Sequence, residues 1–375
     1  MRAETLLVTG GAGFIGSFVV DRFVGCGHEV RILDSLEPQV HPDGPPDYLN
    51  PMAELVQADI RDRAAVARAL EGVDVVVHCA AAVGVGQSLY QVERYVDVNV
   101  RGLATLLDIL IERKQTLRKL VVLTSMTQYG EGLYRRPSDS ALIRVDARSA
   151  ADVEQHGWEP VCPLTGERLE PAATPENAAL LARNTYALTK RYQEELALNV
   201  GQLYDIPTVC LRMFNVYGPR QSLANPYTGV LAIFLSRIRT GNSPVVYEDG
   251  RQTRDFISVH DIVSAVERAV DSSGADGQVI NLGSGVPRRI LDCAIELDRL
   301  CGGDGSGVSA SGQFRKGDIR HCYADMTKAR ELLGFAPTVS WERGLAELLA
   351  WSETATTSDN FERAERELRT HGLVS

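Results

Sequence analysis

No run of 18 consecutive apolar residues occurs in the chain, and the first residues lead directly into a short strand pattern. Neither a membrane-spanning helix nor a secretory leader is therefore expected. Basic residues are in the minority: 39 Lys and Arg stand against 49 Asp and Glu, a net charge of −10, and the arginines are dispersed. That argues against a nucleic-acid surface, and any anionic ligand must be held by a few arginines that converge locally. The seven cysteines are odd in number and include no Cys-x-x-Cys pair, which points to free thiols in a reducing cytoplasm rather than disulfides or zinc. Internal repeats and low-complexity tracts are also missing. With 375 residues the chain can bury a large core, as one large or two interleaved domains.

What is present begins at residues 5–9, Thr-Leu-Leu-Val-Thr, a short buried strand followed at once by Gly10-Gly11-Ala12-Gly13-Phe14-Ile15-Gly16 and an apolar helical pattern. Strand, glycine turn and helix follow in the order a dinucleotide site requires. Gly10 permits the tight turn, Gly13 lets the backbone approach a pyrophosphate, and Gly16 lets the helix lie close to the strand. A second strand, 29–33, closes on Asp34, placed to accept hydrogen bonds from an adenosine ribose. A carboxylate there repels a 2'-phosphate, and Ser35 and Leu36 supply no arginine to receive one, which favours NAD over NADP.

Two further stretches carry the chemistry: Thr124-Ser125-Met126-Thr127-Gln128-Tyr129-Gly130 and Tyr186-Ala187-Leu188-Thr189-Lys190. On a helix, the spacing of four puts the Tyr186 phenol and the Lys190 ammonium on one face, and a cation beside a phenol favours the phenolate. Ser125, leaving a strand, shares the same substrate hydroxyl.

Between these stretches strands and helices alternate. Strands are expected at 55–58, 73–79, 120–123 and 279–282, and helices at 92–112, 185–200, 230–238 and 259–270. Residues 37–52 read as a loop. The strand at 73–79 is followed by Ala80-Ala81-Ala82, small enough to pack against a flat cofactor, and the long helix contains Asn99. The chain is expected to cross after Arg212 into a smaller lobe with a strand at 245–247. Beyond Ser352 the polar chain predicts a solvated C-terminal helix near 361–368.

The ordered set of motifs resembles the extended short-chain dehydrogenase/reductase family, dominated by nucleotide-sugar epimerases and dehydratases. It comprises Gly-x-x-Gly-Phe-Ile-Gly, Asp34, Asp59-Ile60, the Ser125 segment and Tyr186-x-x-x-Lys190. Downstream come Arg212-Met213-Phe214-Asn215-Val216-Tyr217-Gly218-Pro219-Arg220, Arg254-Asp255-Phe256, Asn281-Leu282-Gly283 and Arg315-Lys316-Gly317-Asp318. The resemblance implies an α/β fold, a Rossmann-type doubly wound parallel sheet with a smaller, interleaved C-terminal substrate lobe. The expected NAD-binding domain spans 1–213 plus about 253–284, with an insertion at about 131–183. The nucleotide-sugar lobe takes about 214–252 plus 285–350, and 351–375 form a tail. Ser125, Tyr186 and Lys190 take the catalytic positions. Tightly bound NAD is expected against Gly10, Gly13, Phe14, Ile15, Gly16, Asp34, Ser35, Asp59, Ile60, Ala80, Ala81, Ala82, Asn99, Thr124, Tyr186, Lys190 and Phe214. A nucleotide-diphosphate sugar is expected against Thr127, Asn215, Asn225, Arg254, Arg315 and Asp318. A homodimer through the helices at 92–113 and 185–200 is implied, with no metal.

Family members that eliminate water from a 4-keto sugar carry an Asp-Glu pair after the serine, and UDP-glucuronate decarboxylases a glutamate. Met126 and Thr127 stand there in this chain, as in the 4-epimerases, so elimination lacks its proton donor. An NAD(P)H-dependent 4-ketoreductase stays open on the same residues. The 55 residues from 131 to 185 are long for a loop and are expected to cover the sugar pocket. The Tyr-Gly-Glu-Gly start and Trp-Glu-Pro-x-Cys-Pro middle of this stretch resemble an insertion of dTDP-L-rhamnose 4-epimerases.

Overall fold

The computed structural model describes residues 3–374. The apolar runs of the sequence become seven parallel strands of one sheet: β1 (Thr5–Thr9), β2 (Glu29–Asp34), β3 (Glu54–Gln57), β4 (Val75–His78), β5 (Lys119–Ser125), β6 (Thr208–Met213) and β7 (Gln278–Leu282). Their spatial order is β7-β6-β5-β4-β1-β2-β3. Successive side chains serve opposite faces: Leu6, Val8, Val77 and Val121 join one buried cluster, and Leu7, Val76, Leu120 and Val122 another. Burial on both faces is why these strands read as unbroken apolar runs rather than alternating ones. The strand order reverses between β1 and β4, and the carboxyl edge at that reversal is the crevice in which doubly wound sheets bind ligands.

The helix expected over 92–112 is interrupted. Val92–Tyr95 and Gly102–Arg113 are α-helical, but Val96–Arg101 between them is a wide π-turn that carries Asn99 fully buried. Such a bulge re-aims one side chain without ending the helix.

A second set of elements surrounds Thr253–Ser258. That strand, whose residues were expected in the NAD-binding domain, pairs with Asn215–Tyr217, Pro287–Arg289 and His321–Cys322 rather than with the main sheet. A separate core of Leu231, Phe234, Leu297, Trp341 and Leu345 lies beside it. Val245–Val246 pairs with Ser309–Ala310.

The long stretch after Gly130 has structure of its own: an antiparallel sheet of Leu133–Arg135, Leu142–Arg144 and Glu170–Ala172, and a helix Ala150–His156 with a Ser149/Asp152 capping box. It is fastened to the second set of elements by buried charges. Arg148 donates to Glu248 at 2.8 Å, and the Glu131 carboxylate accepts from the Arg320 backbone at 2.9 Å. No helix among the described residues is long and apolar enough to cross a membrane.

The sheet and its longest helix, Thr185–Leu203, are joined by a buried ion pair. Glu194 takes two hydrogen bonds from Arg212 of β6, at 2.9 and 2.5 Å, and one from Thr124 of β5 at 3.1 Å. Glu194→Ala leaves the Arg212 guanidinium buried without its counter-charge, so unfolding in urea should show a loss of about 3–5 kcal/mol, far above the cost of a surface pair. A loss under about 1 kcal/mol would show that the pair is not what holds the helix down.

Candidate active site

The crevice at the strand reversal is a continuous cavity of about 590 Å³. One end is built from the glycine turn. Gly10 sits at φ +69°, where a Cβ would also meet the Ala80 backbone nitrogen at 2.8 Å, and a Cβ on Gly16 would overlap the Gly10 carbonyl oxygen. Both positions therefore exclude a side chain, and the helix Phe14–Gly25 comes close to the sheet. Its N-cap, Gly13, carries no side-chain cap, so the first-turn amides face the cavity. Asp34 accepts from the Ala12 and Leu36 backbone N–H groups, each at 2.9 Å, and turns its carboxylate along the same wall. An uncapped helix end beside a fixed carboxylate is a donor and acceptor set that fits a dinucleotide's pyrophosphate and ribose.

Beyond it, β5 ends at Ser125. The serine caps the 3-10 turn Met126–Tyr129, its Oγ accepting from the Thr127 N–H at 3.3 Å and from the Thr127 hydroxyl at 3.0 Å. Asn184 starts the facing helix by accepting from the Ala187 N–H at 2.8 Å, which places Tyr186 in its first turn. The expected phenol–ammonium pair differs from what is found. Lys190 donates to the Leu123 carbonyl at 2.9 Å. Burial pushes the Tyr186 phenol up to about 12, against a hydrogen bond with Ser125 that draws it down, and the lysine makes no compensating contribution. Burial likewise takes Lys190 down to about 8, partly offset by the Cys79 and Cys210 thiols. Both groups are so deep in the protein that desolvation is the largest cause of each shift.

At the other end lie the arginines. Asp318 holds Arg315 at 3.1 Å and Arg254 at 3.5 Å, and Arg315 lies over the Tyr247 ring at 5.3 Å. Burial would raise the Asp318 carboxyl, but the two guanidiniums outweigh it and keep it below its ordinary range. The Asn215 side-chain oxygen is buried without a hydrogen-bond partner, and so are those of Gln221 and Gln252; all three residues line the cavity. Unpaired acceptors at a cavity wall are expected where a ligand supplies the missing donors.

The cavity gathers nearly every residue singled out in the sequence: Gly10, Gly13, Phe14, Ile15, Gly16, Asp34, Ser35, Asp59, Ile60, Ala80, Ala81, Ala82, Thr124, Ser125, Thr127, Tyr186, Lys190, Phe214, Asn215, Asn225, Arg254, Arg315 and Asp318. Asn99 is the exception. It stands behind the wall, accepting from the Ala82 N–H at 2.7 Å and donating to the Ala82 carbonyl at 3.1 Å and Thr189 at 2.9 Å, so it shapes the Ala80–Ala82 turn from the rear. Asp59 lines the cavity but is engaged by Arg61.

Two expectations are overturned. Of the stretch 131–185, expected to cover the sugar pocket, only Asn184 lines the cavity, and the insertion 131–183 turns charges such as Glu131 and Arg148 to the buried contacts described above. The C-terminal helix Phe361–Thr370, expected to be solvated, instead contributes Phe361, Ala364, Glu365 and Leu368 to the wall. Its apolar residues at spacings of three and four were a legible signal, masked by the charges between them.

The chain matches the NAD dependent epimerase/dehydratase family over residues 6–150 and 165–283. A dTDP-L-rhamnose 4-epimerase of Burkholderia thailandensis is 33% identical over 93% of this chain and 94% of its own length. Among solved structures, a UDP-glucose 4-epimerase from Thermotoga maritima, with UDP-glucose, superposes with a TM-score of 0.75 at 28% identity, covering 93% of this chain and 98% of its own. A dTDP-glucose 4,6-dehydratase from Streptomyces venezuelae, with NAD bound, gives 0.75 at 25% identity, covering 93% and 97%.

The depressed Lys190 fixes a pH signature. Between about 8 and the ordinary 10.5 the unfolded chain carries a proton here that the native chain does not, so this residue's contribution to stability rises with pH across that window and is flat below it. The unfolding free energy of the wild type relative to Lys190→Met should therefore move in the wild type's favour from pH 8 to 10. A difference that stays level, or falls, contradicts the burial of a charged lysine.

Proposed function

This chain belongs to the NAD dependent epimerase/dehydratase family, and from that premise we propose that it is a nucleotide-sugar 4-epimerase acting on a dTDP- or UDP-hexose, with a dTDP-6-deoxyhexose such as dTDP-L-rhamnose as the favoured substrate. Substrate choice rests on the similarity to the Burkholderia enzyme and on the insertion's sequence. The reaction type is supported by one observation: every carboxylate of the cavity lining already has a partner. Asp34 takes backbone N–H groups, Glu37 faces Arg94, Asp59 faces Arg61, Asp318 the two arginines, and Glu365 faces Arg369. Met126 and Thr127, beside Ser125, bring none. A dehydration needs a further acid for the departing hydroxyl, whereas an epimerisation at C4 needs a single proton acceptor that later returns the proton.

NAD, held on the glycine turn and Asp34, supplies reversible hydride transfer at the sugar carbon. Tyr186, once ionised beside the positive charge of the bound cofactor, would take the proton of the C4 hydroxyl on its phenolate oxygen and give it back after the 4-keto sugar has turned. Ser125 holds that same oxygen, oriented through its contact with Thr127. The Lys190 ammonium, on the Leu123 carbonyl, fastens the helix that carries Tyr186 to the carboxyl end of β5. Arg254, Arg315, Asn215 and Asn225 grip the nucleotide diphosphate, so that only the sugar reorients. In this reading residues 1–213 with about 259–284 serve the cofactor, and 214–258 with 285–350 serve the nucleotide sugar.

The same reading includes a cytoplasmic homodimer. Val92, Val96, Leu188 and Tyr192 stand 40–52% exposed on neighbouring helices, an apolar face that suits a second copy. Leu188→Arg should convert the sedimenting species to a monomer. A wild type already monomeric at micromolar concentration rules the dimer out.

The activity is tested by incubating the purified protein with dTDP-L-rhamnose and a panel of dTDP- and UDP-sugars and looking for the C4 epimer without added cofactor. Tyr186→Phe should lower turnover by about 10²–10⁴-fold, the usual size of a lost acid–base group, with NAD content unchanged. Epimerisation near the wild-type rate in that variant removes the assignment, and net consumption of added NADH with a 4-keto sugar would replace it by a reductase.

A further inference from the structure

The C-terminal segment crosses the cavity from one set of elements to the other, and it is fastened along its length. Thr357 bridges to Leu223, Asn360 donates to the Ala224 carbonyl at 2.8 Å, and Asp359 accepts from Arg237 at 3.1 Å. The helix Phe361–Thr370 then turns Ala364 and Leu368 inward and leaves Glu362, Arg363 and Arg366 in solvent. Its Glu367 carboxylate accepts from the hydroxyl of Tyr90, in the segment after β4, at 2.6 Å, and from that of Tyr227 across the cleft. Tyr90 also stacks on His371, with ring centroids 4.7 Å apart.

Both ends of the helix bear on Arg315. At the first turn the rings of Phe361 and Tyr247 are 6.5 Å apart and tilted, and Tyr247 is the platform under the Arg315 guanidinium; the Arg237 guanidinium lies over the Phe361 ring at 4.7 Å. Past the last turn, the Lys316 N–H donates to the Leu373 carbonyl at 3.1 Å and Arg315 bridges to Val374. Side chain and backbone of one arginine are thus both fixed by the tail.

We propose that the C-terminal helix is a wall of the nucleotide-diphosphate site: Phe361, through Tyr247, is a positioning residue that holds Arg315 at the ligand's diphosphate, and Glu367, through Tyr90 and Tyr227, fastens the helix that carries Phe361 across the cleft. The inference rests on the nucleotide-sugar reading of the cavity. It adds a segment outside the matched family residues, and it makes affinity for the nucleotide depend on side chains near the end of the chain. The sugar end of the cleft, at Ser125 and Tyr186, is untouched by it.

The test is calorimetric titration of the NAD-loaded protein with dTDP and with UDP, comparing wild type with Phe361→Ala, Phe361→Tyr and Glu367→Gln. Phe361→Ala should weaken whichever nucleotide the wild type binds by about tenfold or more, as expected for loss of an aromatic anchor in the cavity wall. Phe361→Tyr should restore most of that, and NAD content and thermal midpoint should stay close to the wild type's. Glu367→Gln should weaken binding by a smaller factor, and hydrogen exchange in 361–374 of the wild type should slow on nucleotide saturation. Unchanged affinity in Phe361→Ala and Glu367→Gln, or exchange indifferent to nucleotide, overturns the wall while leaving the functional reading intact. If thermal midpoint and NAD content fall together in Phe361→Ala, the exchange measurement on the wild type decides alone. A wild type that binds neither nucleotide overturns the functional reading and the wall with it.

Discussion

Everything in the site depends on the docking of one helix against the carboxyl ends of two strands. Thr185–Leu203 is held by Lys190 on the Leu123 carbonyl, by Glu194 between Arg212 and Thr124, and by Gln193, which donates to the Asn99 carbonyl at 2.8 Å. Gln193 also meets the imidazole of His78, which burial, aided by the Lys190 charge, pushes down to about 3, so that it remains neutral and reaches Thr9 at 2.9 Å. These are buried polar bonds, expensive to leave half made and therefore specific about where the helix sits. Ser125 and Tyr186 are remote in sequence, and this network brings them together in one cavity.

The same burial governs the chemistry. A phenol and an ammonium moved into a dry wall both shift toward their neutral forms, and the protein alone keeps Tyr186 protonated. Its conversion into a base awaits the charge a ligand brings. At the other end a charged pair is kept charged: Asp318 stands between Arg254 and Arg315, so the guanidiniums are oriented before any phosphate arrives. An acidic protein can thus bind a dianion, because its positive charge is focused at one place.

Much of this was legible in residue order. The glycine turn, Asp34, Ser125, Tyr186 and Lys190 could be placed because each sits at an element boundary, where local geometry limits which residue types serve. The alternation of strands and helices gave the main sheet for a similar reason, since a strand buried on both faces leaves an unbroken apolar run. Asn99 and the insertion were misplaced for opposite reasons. A π-turn has no sequence period, so the inward aim of Asn99 could be suspected but not its target. The insertion was expected over the sugar pocket, yet its Glu131 and Arg148 are buried against Arg320 and Glu248, far along the chain.

The sequence by itself determined the nucleotide-binding half-fold, the Tyr186-x-x-x-Lys190 spacing and the absence of a carboxyl group next to Ser125, because those are properties of short segments. Only the tertiary structure decided that Lys190 reaches a strand carbonyl rather than the phenol, that the insertion stays clear of the cavity, and that Phe361–Thr370 forms part of its wall. Those outcomes depend on desolvation and on contacts between residues hundreds of positions apart, such as Tyr90 with Glu367, and no local pattern encodes either.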